Sequence, residues 1–558
     1  MCGVFSLLNN NEQYDLEKIK ECFIRGEKRG PEFSELREID INLIFGFHRL
    51  AINGLNRKSN QPMKIDGITL VCNGEIYNYN KLYSYLNIEP TTDSDCEVII
   101  YLYKNYGIEY TLQLLDGVFS FMLYDINKEL LYIARDPYGV RPLYMMNSNG
   151  DNNYLPISFA SEVKVLSGLY NKLKKINYEE HRQDYSVKIT QFKPGHYMTF
   201  KKCNNIFNIF TPYTKYNTYC FSPDIIKTKQ QDLNSIYYEL CDKLISAVKK
   251  RVVDTTDRHI ACLLSGGLDS SLIAALVSKF YPGNLETYSI GLKGSEDIKY
   301  AELVAEHIES NHTSIIVTEE DFLNAIPEVI KEIESYDTTT VRASVGNYLI
   351  GKYIAKNSSA KVIFNGDGSD ELAGGYLYFH AAPNNIDFDR ECKRLLTDIH
   401  AFDVLRSDKC ISSHGLEPRT PFLDRGWVDY YLSIPIDIRK PKPGQMEKNL
   451  IRTAFSTFEP GLLPQEVFWR KKEAFSDGVS SETKSWYQII ADHMETLNFK
   501  EIVKNNKYNN INVPKTKEQI YYRAIYDEAY PDTANLIPYF WMPRFVDSDD
   551  PSARTLKL

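Results

Sequence analysis

The stretch Ile260-Ala261-Cys262-Leu263-Leu264-Ser265-Gly266-Gly267-Leu268-Asp269-Ser270-Ser271 decides the fold of the second half of this chain. An apolar run stops at two glycines and their neighbouring serines, and apolar residues resume at helical spacing in 272–277. This pattern predicts a strand, a tight turn and a helix. An ordinary Gly-Gly turn with a capping Asp or Ser is the simpler alternative, but so many small and hydroxyl residues after a buried strand favour a phosphate site.

The turn 265–271 offers backbone N–H groups, a helix N-terminus and three serine hydroxyls to one point in space, which suits a phosphate group. Asp269 stands out, because a carboxylate beside a phosphate is repelled unless a cation lies between them. Mg²⁺ is the cation that commonly joins one or two carboxylates to substrate phosphates. We therefore predict Mg²⁺ next to Asp269.

Strands and helices alternate downstream of this turn. Strand-like runs at 285–291, 313–318 and 361–364 are separated by helical patterns. Such alternation predicts a parallel, doubly wound sheet, with ligands at the carboxyl ends of its strands. The run Gly346–Tyr353 fits the pattern G-x-x-x-x-G-K, but Tyr353 stands where a Walker motif needs Ser or Thr. We interpret that run as part of a helix.

Acids are dense in Asn365-Gly366-Asp367-Gly368-Ser369-Asp370-Glu371, which follows the predicted strand at 361–364. Carboxylates this close together are costly unless they are solvated or bound to a cation. A solvated loop with a capped helix is the simpler interpretation, but the position after an apolar strand favours a site.

A cysteine follows the first methionine. Loss of that methionine would leave Cys2 with a free α-amine, which can take the proton of its own thiol. A buried structural cysteine is the commoner fate of a lone Cys. Strand-like runs at 41–52 and 68–72 lead into Asn73 and Gly74, whose N–H groups could stabilise an oxyanion.

Composition narrows the class of protein. The net charge is 65 − 74 = −9, so no basic surface indicates nucleic-acid binding. No apolar run approaches the roughly 20 residues that span a bilayer, so we expect no membrane segment. The ten cysteines form no C-x-x-C pair, which favours reduced thiols and a cytoplasmic protein.

Four motifs in the first half resemble the glutaminase domain of class II glutamine amidotransferases, an N-terminal-nucleophile fold. They are Cys2-Gly3, His48-Arg49-Leu50, Asn73-Gly74-Glu75-Ile76-Tyr77-Asn78 and Ser94-Asp95. The resemblance implies that Cys2 attacks the side-chain amide of glutamine and that Asn73 and Gly74 form the oxyanion hole. It also implies a set of residues that bind glutamine: Arg49, Leu50, Ala51, Ile52, Asn53, Asn73, Gly74, Glu75 and Asp95.

The second half resembles the synthetase domain of glutamine-hydrolysing asparagine synthetases. The resemblance lies in the Gly-rich turn 265–271, in the acidic loop 365–371, and in Gly415–Asp424 and Trp541-Met542-Pro543. The resemblance implies ATP-dependent amidation of aspartate through β-aspartyl-AMP, with AMP, pyrophosphate and glutamate as products. The implied ATP-binding residues are Leu264, Ser265, Gly266, Gly267, Asp269, Ser270, Ser271, Ile290, Asn365, Gly366 and Lys472. Asp269 and Asp370 would bind Mg²⁺, and Thr339, Thr340 and Arg342 would hold aspartate.

One catalytic position departs from the family pattern, which has Glu where this chain has Asp367. Catalytic geometry is sensitive to displacements of about 1 Å, so the missing methylene matters. Two alternatives therefore stay open: a related amidotransferase that acts on another carboxylic acid, and an inactive homologue.

The predicted fold is α/β throughout. An N-terminal-nucleophile αββα sandwich (2–202) is followed by a linker (203–232) and by a doubly wound, ATP-pyrophosphatase-like synthetase domain (233–558). The expected partners are the small molecules glutamine, aspartate and ATP, and a homodimer is implied by the resemblance alone.

Overall fold

The computed structural model describes residues 2–148, 155–179, 187–217, 233–472, 484–504, 511–552 and 555. The chain divides into two compact units. Unit 1 comprises Met1–Thr218, Ser412–Leu416 and Tyr530–Leu536, and unit 2 comprises Tyr219–Ile411, Glu417–Ala529 and Ile537–Leu558. The loops that are predicted to bind glutamine lie in unit 1. The Gly-rich loop 265–271 and the acidic loop 365–371, which are predicted to bind ATP, lie in unit 2.

Unit 1 contains two six-stranded sheets whose described strand pairs are antiparallel. The first sheet has the order β10-β8-β9-β1-β3-β2, and the second has the order β12-β11-β7-β6-β5-β4. The strands are β1 Gly3–Leu8, β2 Phe33–Asp40, β3 Leu43–Arg49, β4 Met63–Ile65, β5 Ile68–Ile76, β6 Gly117–Asp125, β7 Leu130–Arg135, β8 Tyr144–Ser148, β9 Ile157–Ala160, β10 Val187–Gln191, β11 His196–Cys203 and β12 Ile206–Lys215.

Two apolar cores hold unit 1 together. One lies between the sheets, where Val4 and Phe47 of the first sheet meet Val71 and Met122 of the second. Side chains alternate across a strand, so the opposite face of the second sheet is free to pack on helices. It forms the other core with the helix Val98–Leu114.

The helices of unit 1 complete a layered sandwich, since Val163–Glu179 packs on the first sheet. They are Leu16–Phe23, Tyr79–Leu86, Val98–Leu114 and Val163–Glu179, with 3-10 helices Ile24–Arg29, Arg57–Ser59 and Asp95–Glu97. Helix, sheet, sheet, helix is the αββα order, so the prediction for the first half is confirmed.

The prediction that residues 203–232 form a linker is partly wrong. Within this segment, Ile206–Lys215 form β12, which pairs with β11 at the edge of the second sheet. Ile209 and Phe210 point outward there and are 50% and 62% exposed, so the strand lacks the apolar pattern of a buried one. Residues 218–232 lie outside the described part of the chain, and the domain boundaries themselves stay a prediction.

Unit 2 is built on a five-stranded sheet in which every pair is parallel, with the order β15-β14-β13-β16-β17. Its strands are β13 Ile260–Leu263, β14 Glu286–Leu292, β15 Asn311–Val317, β16 Val362–Phe364 and β17 Glu417–Arg419. The chain leaves β13 toward β14 on one side and returns to β16 on the other. This confirms the doubly wound prediction and puts the topological switch point between β13 and β16.

Helices connect and cover these strands. The described helices after residue 232 are Leu233–Val253, Leu268–Phe280, Glu296–His307, Glu319–Ile333, Thr338–Asn357, Ser369–Ala373, Asn385–Asp398, Asp403–Ser412, Arg425–Ser433, Ile436–Arg439, Asn449–Phe458, Gln465–Phe468, Trp486–Thr496, Phe499–Lys504 and Lys517–Ala529. Short 3-10 helices occupy Leu377–Ala381, Ile399–Ala401, Pro421–Leu423 and Ala534–Leu536. The run Gly346–Tyr353 lies inside the helix Thr338–Asn357, as predicted.

Across the described segments, no helix combines the length and apolar character needed to cross a membrane.

Candidate functional sites

Cys2 lies directly against the predicted oxyanion hole in unit 1. Its main-chain nitrogen donates to Oδ1 of Asn73 at 3.0 Å, and its Sγ lies 3.7 Å from the carbonyl oxygen of Leu50. Asn73 is fully buried in β5, and within the described structure its Nδ2 has no acceptor. A buried donor held ready beside a thiol is what an oxyanion hole requires.

Gly74 follows Asn73 in β5 and is confined by the neighbouring strand β6. A Cβ at this position would come within 2.5 Å of the carbonyl oxygen of Val118 and 2.8 Å of Cα of Phe119. Only glycine therefore fits here without moving the strands.

The predicted glutamine-binding residues contact one another and the loop that follows β3. Arg49 donates to the carbonyl oxygen of Asn56 at 2.9 Å and to Oδ1 of Asn60 at 2.6 Å, so it holds the loop that follows β3. Asn53 donates to Oε2 of Glu75 at 2.6 Å, and Asp95 accepts from the amide of Ile76 at 2.7 Å. Leu50, Ala51, Ile52, Glu75 and Asp95 are buried, and Asn53 is half-buried.

The turn that opens the second site is closed by its own hydroxyls. The amide of Ser265 donates to Oγ of Ser270 at 3.1 Å, and the two hydroxyls lie 2.9 Å apart. Gly266 has a φ of +69°, and a Cβ there would collide with Tyr300. The hydroxyl of Ser271 is buried without a partner in the described structure.

The acidic loop after β16 packs onto this turn, as expected for the carboxyl ends of adjacent parallel strands. A Cβ on Gly366 would lie 2.8 Å from the amide nitrogen of Ser270, so the close approach requires glycine. Ser369 donates to Oδ1 of Asp269 at 2.8 Å, and Asn365 donates to Oγ of Ser407 at 2.7 Å.

Two lysines neutralise the predicted metal ligands. Nζ of Lys448 contacts a carboxylate oxygen of Asp269 and lies 2.5 Å from Oδ1 of Asp370. Lys472 lies 2.8 and 2.6 Å from the two oxygens of Asp370. Burial opposes ionisation of Asp370, but the charges of Lys448 and Lys472 outweigh it and hold its pKa below the usual range.

The position of the Asp269 and Asp370 carboxylates fits Mg²⁺ as a ligand pair. Both carboxylates converge on a single cation, and Mg²⁺ in nucleotide sites usually takes one or two carboxylates and completes its shell with phosphate and water. The described residues contain no group of three or more Cys, His, Asp or Glu side chains placed to hold a metal.

A single cavity in unit 2 contains these groups. Its wall includes most of the predicted ATP-binding residues and several charged residues that the motifs did not single out. The lining comprises Leu264, Ser265, Gly267, Asp269, Ser270, Ile290, Asn347, Ile350, Asn365, Gly366, Asp367, Gly368, Asp370, Glu371, Asp403, Arg406, Glu447, Lys448, Arg470, Lys471 and Lys472, among others. Gly266 and Ser271 are absent from that wall, although both belong to the same turn.

Asp367 stands on this wall beside Arg406, which lies 3.4 Å from its Oδ1 and also contacts Asp403. Its Oδ2 has no partner among the described residues. Glu371 lies one turn further along the chain and accepts from the hydroxyl of Tyr376. Burial, and next to it the charge of Asp370, raise the pKa of Glu371 to about 7.

The predicted aspartate-binding residues are not brought to this cavity. Arg342 forms ion pairs with Glu518 and Asp550, at 2.9 Å from Nε to Glu518 and 2.8 Å from Nη1 to Asp550. Thr340 binds Asp337, the N-cap of its own helix, through both its amide and its hydroxyl. Thr339, Thr340 and Arg342 are missing from the cavity wall, to which the same helix contributes Asn347 and Ile350.

Sequence reasoning missed Lys448, Asp403 and Arg406. No local motif marks them, because Lys448 and Arg406 contact carboxylates of other elements, and Asp403 accepts from the amide of Gly368 in the acidic loop. Lys472, which the resemblance implies as an ATP-binding residue, does line the cavity together with Arg470 and Lys471, while 473–483 lie outside the described residues.

Comparison with known proteins identifies the family of the chain. The sequence models of two families match: a glutamine amidotransferase domain over residues 1–213 and asparagine synthase over residues 239–389 and 382–541. A relative from Gallus gallus, named asparagine synthetase [glutamine-hydrolyzing], is 40% identical over 580 residues, covering 100% of this chain and 99% of that protein. Relatives of the same name from Bos taurus and Homo sapiens are 39% and 38% identical, each covering 100% of this chain and 98% of their own.

The chain belongs to the glutamine-hydrolysing asparagine synthetases. It is therefore an enzyme, a carbon–nitrogen ligase that takes its nitrogen from the amide of glutamine. The glutamine amidotransferase match covers most of unit 1, and the asparagine synthase match falls mainly in unit 2.

Proposed function

We propose that the chain makes L-asparagine from L-aspartate through β-aspartyl-AMP and releases AMP, pyrophosphate and glutamate. One observation carries the proposal: in unit 2, a single cavity joins the hydroxyl-rich turn after β13 to the acids after β16. A nucleotide phosphate and a carboxylic acid can meet there, at the switch point of the sheet.

In unit 1, Cys2 would act as the nucleophile. Its thiolate attacks the side-chain amide of glutamine, and the amides of Asn73 and Gly74 stabilise the oxyanion that forms. Arg49 and Asp95 would hold the α-carboxylate and the α-ammonium group of glutamine. Leu50, Ala51, Ile52, Asn53 and Glu75 complete the proposed binding wall. The tetrahedral intermediate collapses to a thioester as its carbon–nitrogen bond breaks and ammonia leaves, and hydrolysis of that thioester returns Cys2 and releases glutamate.

In unit 2, the turn 265–271 would hold the phosphates of ATP, with Lys472 as their counter-charge. Leu264, Ile290, Asn365 and Gly366 would form the nucleoside side of the pocket. An oxygen of the β-carboxylate of aspartate attacks the α-phosphorus, and pyrophosphate leaves. Mg²⁺ held by Asp269 and Asp370 would neutralise the leaving phosphates.

Ammonia then attacks the β-carbonyl carbon, the bond between that carbon and the phosphate oxygen breaks, and AMP departs with the bond's electrons. Asp367 is the proposed acceptor of the proton from nitrogen. It is shorter than the Glu usual at this position, and Arg406 at 3.4 Å fixes its direction. We further propose that the enzyme works as a homodimer in the cytoplasm, which light scattering and localisation of the tagged chain would test.

Oxygen labelling tests the acyl-adenylate directly. Aspartate with ¹⁸O in its β-carboxylate should pass one ¹⁸O to the phosphate of AMP, because the attacking oxygen stays with AMP when nitrogen displaces it. Formation of ADP, or of AMP without label, would overturn the proposed route.

A panel of carboxylic acids tests the substrate. Pyrophosphate release should be strongest with aspartate, and release with another acid but none with aspartate would favour the related amidotransferase instead. A protein that turns over neither glutamine nor ATP would be the inactive homologue that Asp367 raises as an alternative.

A further inference from the structure

Glu371 is a buried acid that the proposed reaction leaves without a role. It lies in the short helix Ser369–Ala373, is 4% exposed, and lines the cavity with Asp367 and Arg406. The hydroxyl of Tyr376 donates to its Oε1, while Oε2 has no hydrogen-bond partner among the described residues. Leaving a buried carboxylate oxygen without a donor is costly, so a ligand is expected to supply one.

The surroundings of Glu371 indicate which ligand it suits. Neighbouring Asp370 already has two cations, Lys448 and Lys472, at 2.5–2.8 Å. Arg406 is engaged by Asp367 and Asp403. Among the residues that the structure describes, Glu371 is therefore the acid on the cavity wall that no cation contacts.

A metal ion fits this oxygen poorly. Mg²⁺ demands a nearly octahedral shell, and the described chain assembles no group of three metal-binding side chains. An ammonium group needs only one strong acceptor for each of its N–H donors, and a charge-assisted bond to a carboxylate is among the stronger ones.

We propose that Glu371 binds the α-ammonium group of the amino-acid substrate, and so makes this site select aspartate over a dicarboxylic acid that lacks the amino group. The inference rests on the proposed function, since it takes aspartate as the acid that is activated. This assignment also replaces Thr340 and Arg342, which are held by Asp337, Glu518 and Asp550, and Thr339, which does not line the cavity.

The test compares aspartate with succinate, which has both carboxylates but no amino group. Pyrophosphate release is measured with each acid and saturating ATP and ammonium, for the wild type and for Glu371→Gln. Glutamine keeps the shape of the side chain but loses its charge. We expect the KM for aspartate to rise at least tenfold, the KM for ATP to stay within twofold, and the preference for aspartate over succinate to fall at least tenfold.

Other outcomes separate a binding role from a structural one. Equal losses with aspartate and succinate would overturn the proposal, because a structural defect does not distinguish the two acids. A raised KM for ammonium with an unchanged KM for aspartate would also overturn it, since Glu371 would then serve the incoming nitrogen.

Folding is controlled within the same preparation. Glutaminase activity resides in unit 1 and should be unchanged in Glu371→Gln. If that variant does not fold, Glu371→Asp provides the same comparison. A smaller fall in the preference for aspartate over succinate is then expected, because Asp keeps the negative charge but is one methylene shorter. Failure of the wild type to convert aspartate would refute the proposed function itself, whereas a wild type that converts it and a variant with unchanged preference would refute only the role of Glu371.

Discussion

The main-chain nitrogen of Cys2 donates to Oδ1 of Asn73 at 3.0 Å, while Nδ2 of the same side chain is buried and has no acceptor in the described structure. In the proposed function, one side chain thus holds the nucleophile and supplies a donor to the oxyanion. The two functions can be separated by experiment.

Asn73→Ala should lower the rate of glutamine hydrolysis by about 10²–10³-fold, the usual loss when one oxyanion donor is removed. Ammonium-dependent synthesis should be unchanged, because that chemistry resides in unit 2. The rate at which iodoacetamide labels Cys2, followed by mass spectrometry of its peptide, reports whether the thiol is still in place. An unreactive Cys2 would mean that the variant has displaced the nucleophile rather than removed a donor.

Cys2→Ala should abolish glutamine-dependent synthesis and leave ammonium-dependent synthesis at the wild-type rate. The physical reason is that the thiol is needed only to release ammonia, which added ammonium replaces. Asparagine formation is measured with glutamine and then with ammonium as nitrogen source. Loss of both activities in a folded protein would contradict the two-site scheme.

Asp367→Asn should lower ammonium-dependent synthesis by about 10²-fold or more, within the range for loss of a group that transfers a proton. Asp367→Glu is the matched control, because it keeps the charge beside Arg406 and restores the methylene that this chain lacks. Glutaminase activity should be unaffected in both variants. An Asn variant with the wild-type rate would exclude Asp367 from the chemistry.

Local patterns predicted much of this molecule. The turn 265–271 and the acids at 365–371 were found because each follows a strand, and parallel strands bring such loops to one edge. The contacts of Arg342 could not be predicted in the same way, since Glu518 and Asp550 lie 176 and 208 residues further along the chain. The arginine looked available for a substrate and is occupied by two carboxylates.

Lys448 was missed for the same reason, because Asp269 lies 179 residues away from it. Strand β12 was missed for a different reason. It pairs along one edge and exposes Ile209 and Phe210, so its pattern resembles that of a surface segment. Pairing partners and ion pairs that are distant in sequence leave no periodic signal in one sequence.

Lys448→Met should destabilise unit 2, because it removes the cation that bridges Asp269 and Asp370. The lysine side chain is 1% exposed, while its partners are 17% and 21% exposed, so water partly screens the loss and about 1–3 kcal/mol is expected. Mg²⁺ should stabilise this variant more than the wild type, since both carboxylates then lack a bridging charge. Lys442→Met, at an exposed lysine, is the control and should behave as the wild type.

Asp337→Asn tests a pH-dependent contribution to stability. Asp337 caps the helix Thr338–Asn357 and accepts from the amides of Thr340 and Trp541, and burial raises its pKa from 3.8 to about 6. A carboxyl with a raised pKa binds its proton more tightly in the folded protein than in the unfolded chain. Its contribution is therefore fully present below pH 3.8 and is lost as the pH rises to about 6, by about 3 kcal/mol at most.

Asn does not titrate, so the wild type should gain stability relative to Asp337→Asn as the pH is lowered from 7 to 4.5. All four tryptophans of the chain, Trp427, Trp469, Trp486 and Trp541, belong to unit 2, so their fluorescence during urea unfolding reports on the unit that contains Asp337. A difference in unfolding midpoint that is the same at both pH values would show that Asp337 has the same pKa in the folded and unfolded chain. A wild type that loses stability relative to Asp337→Asn as the pH is lowered would show that the helix cap holds the ionised form, with hydrogen bonds from Thr340 and Trp541 that outweigh the burial of the charge.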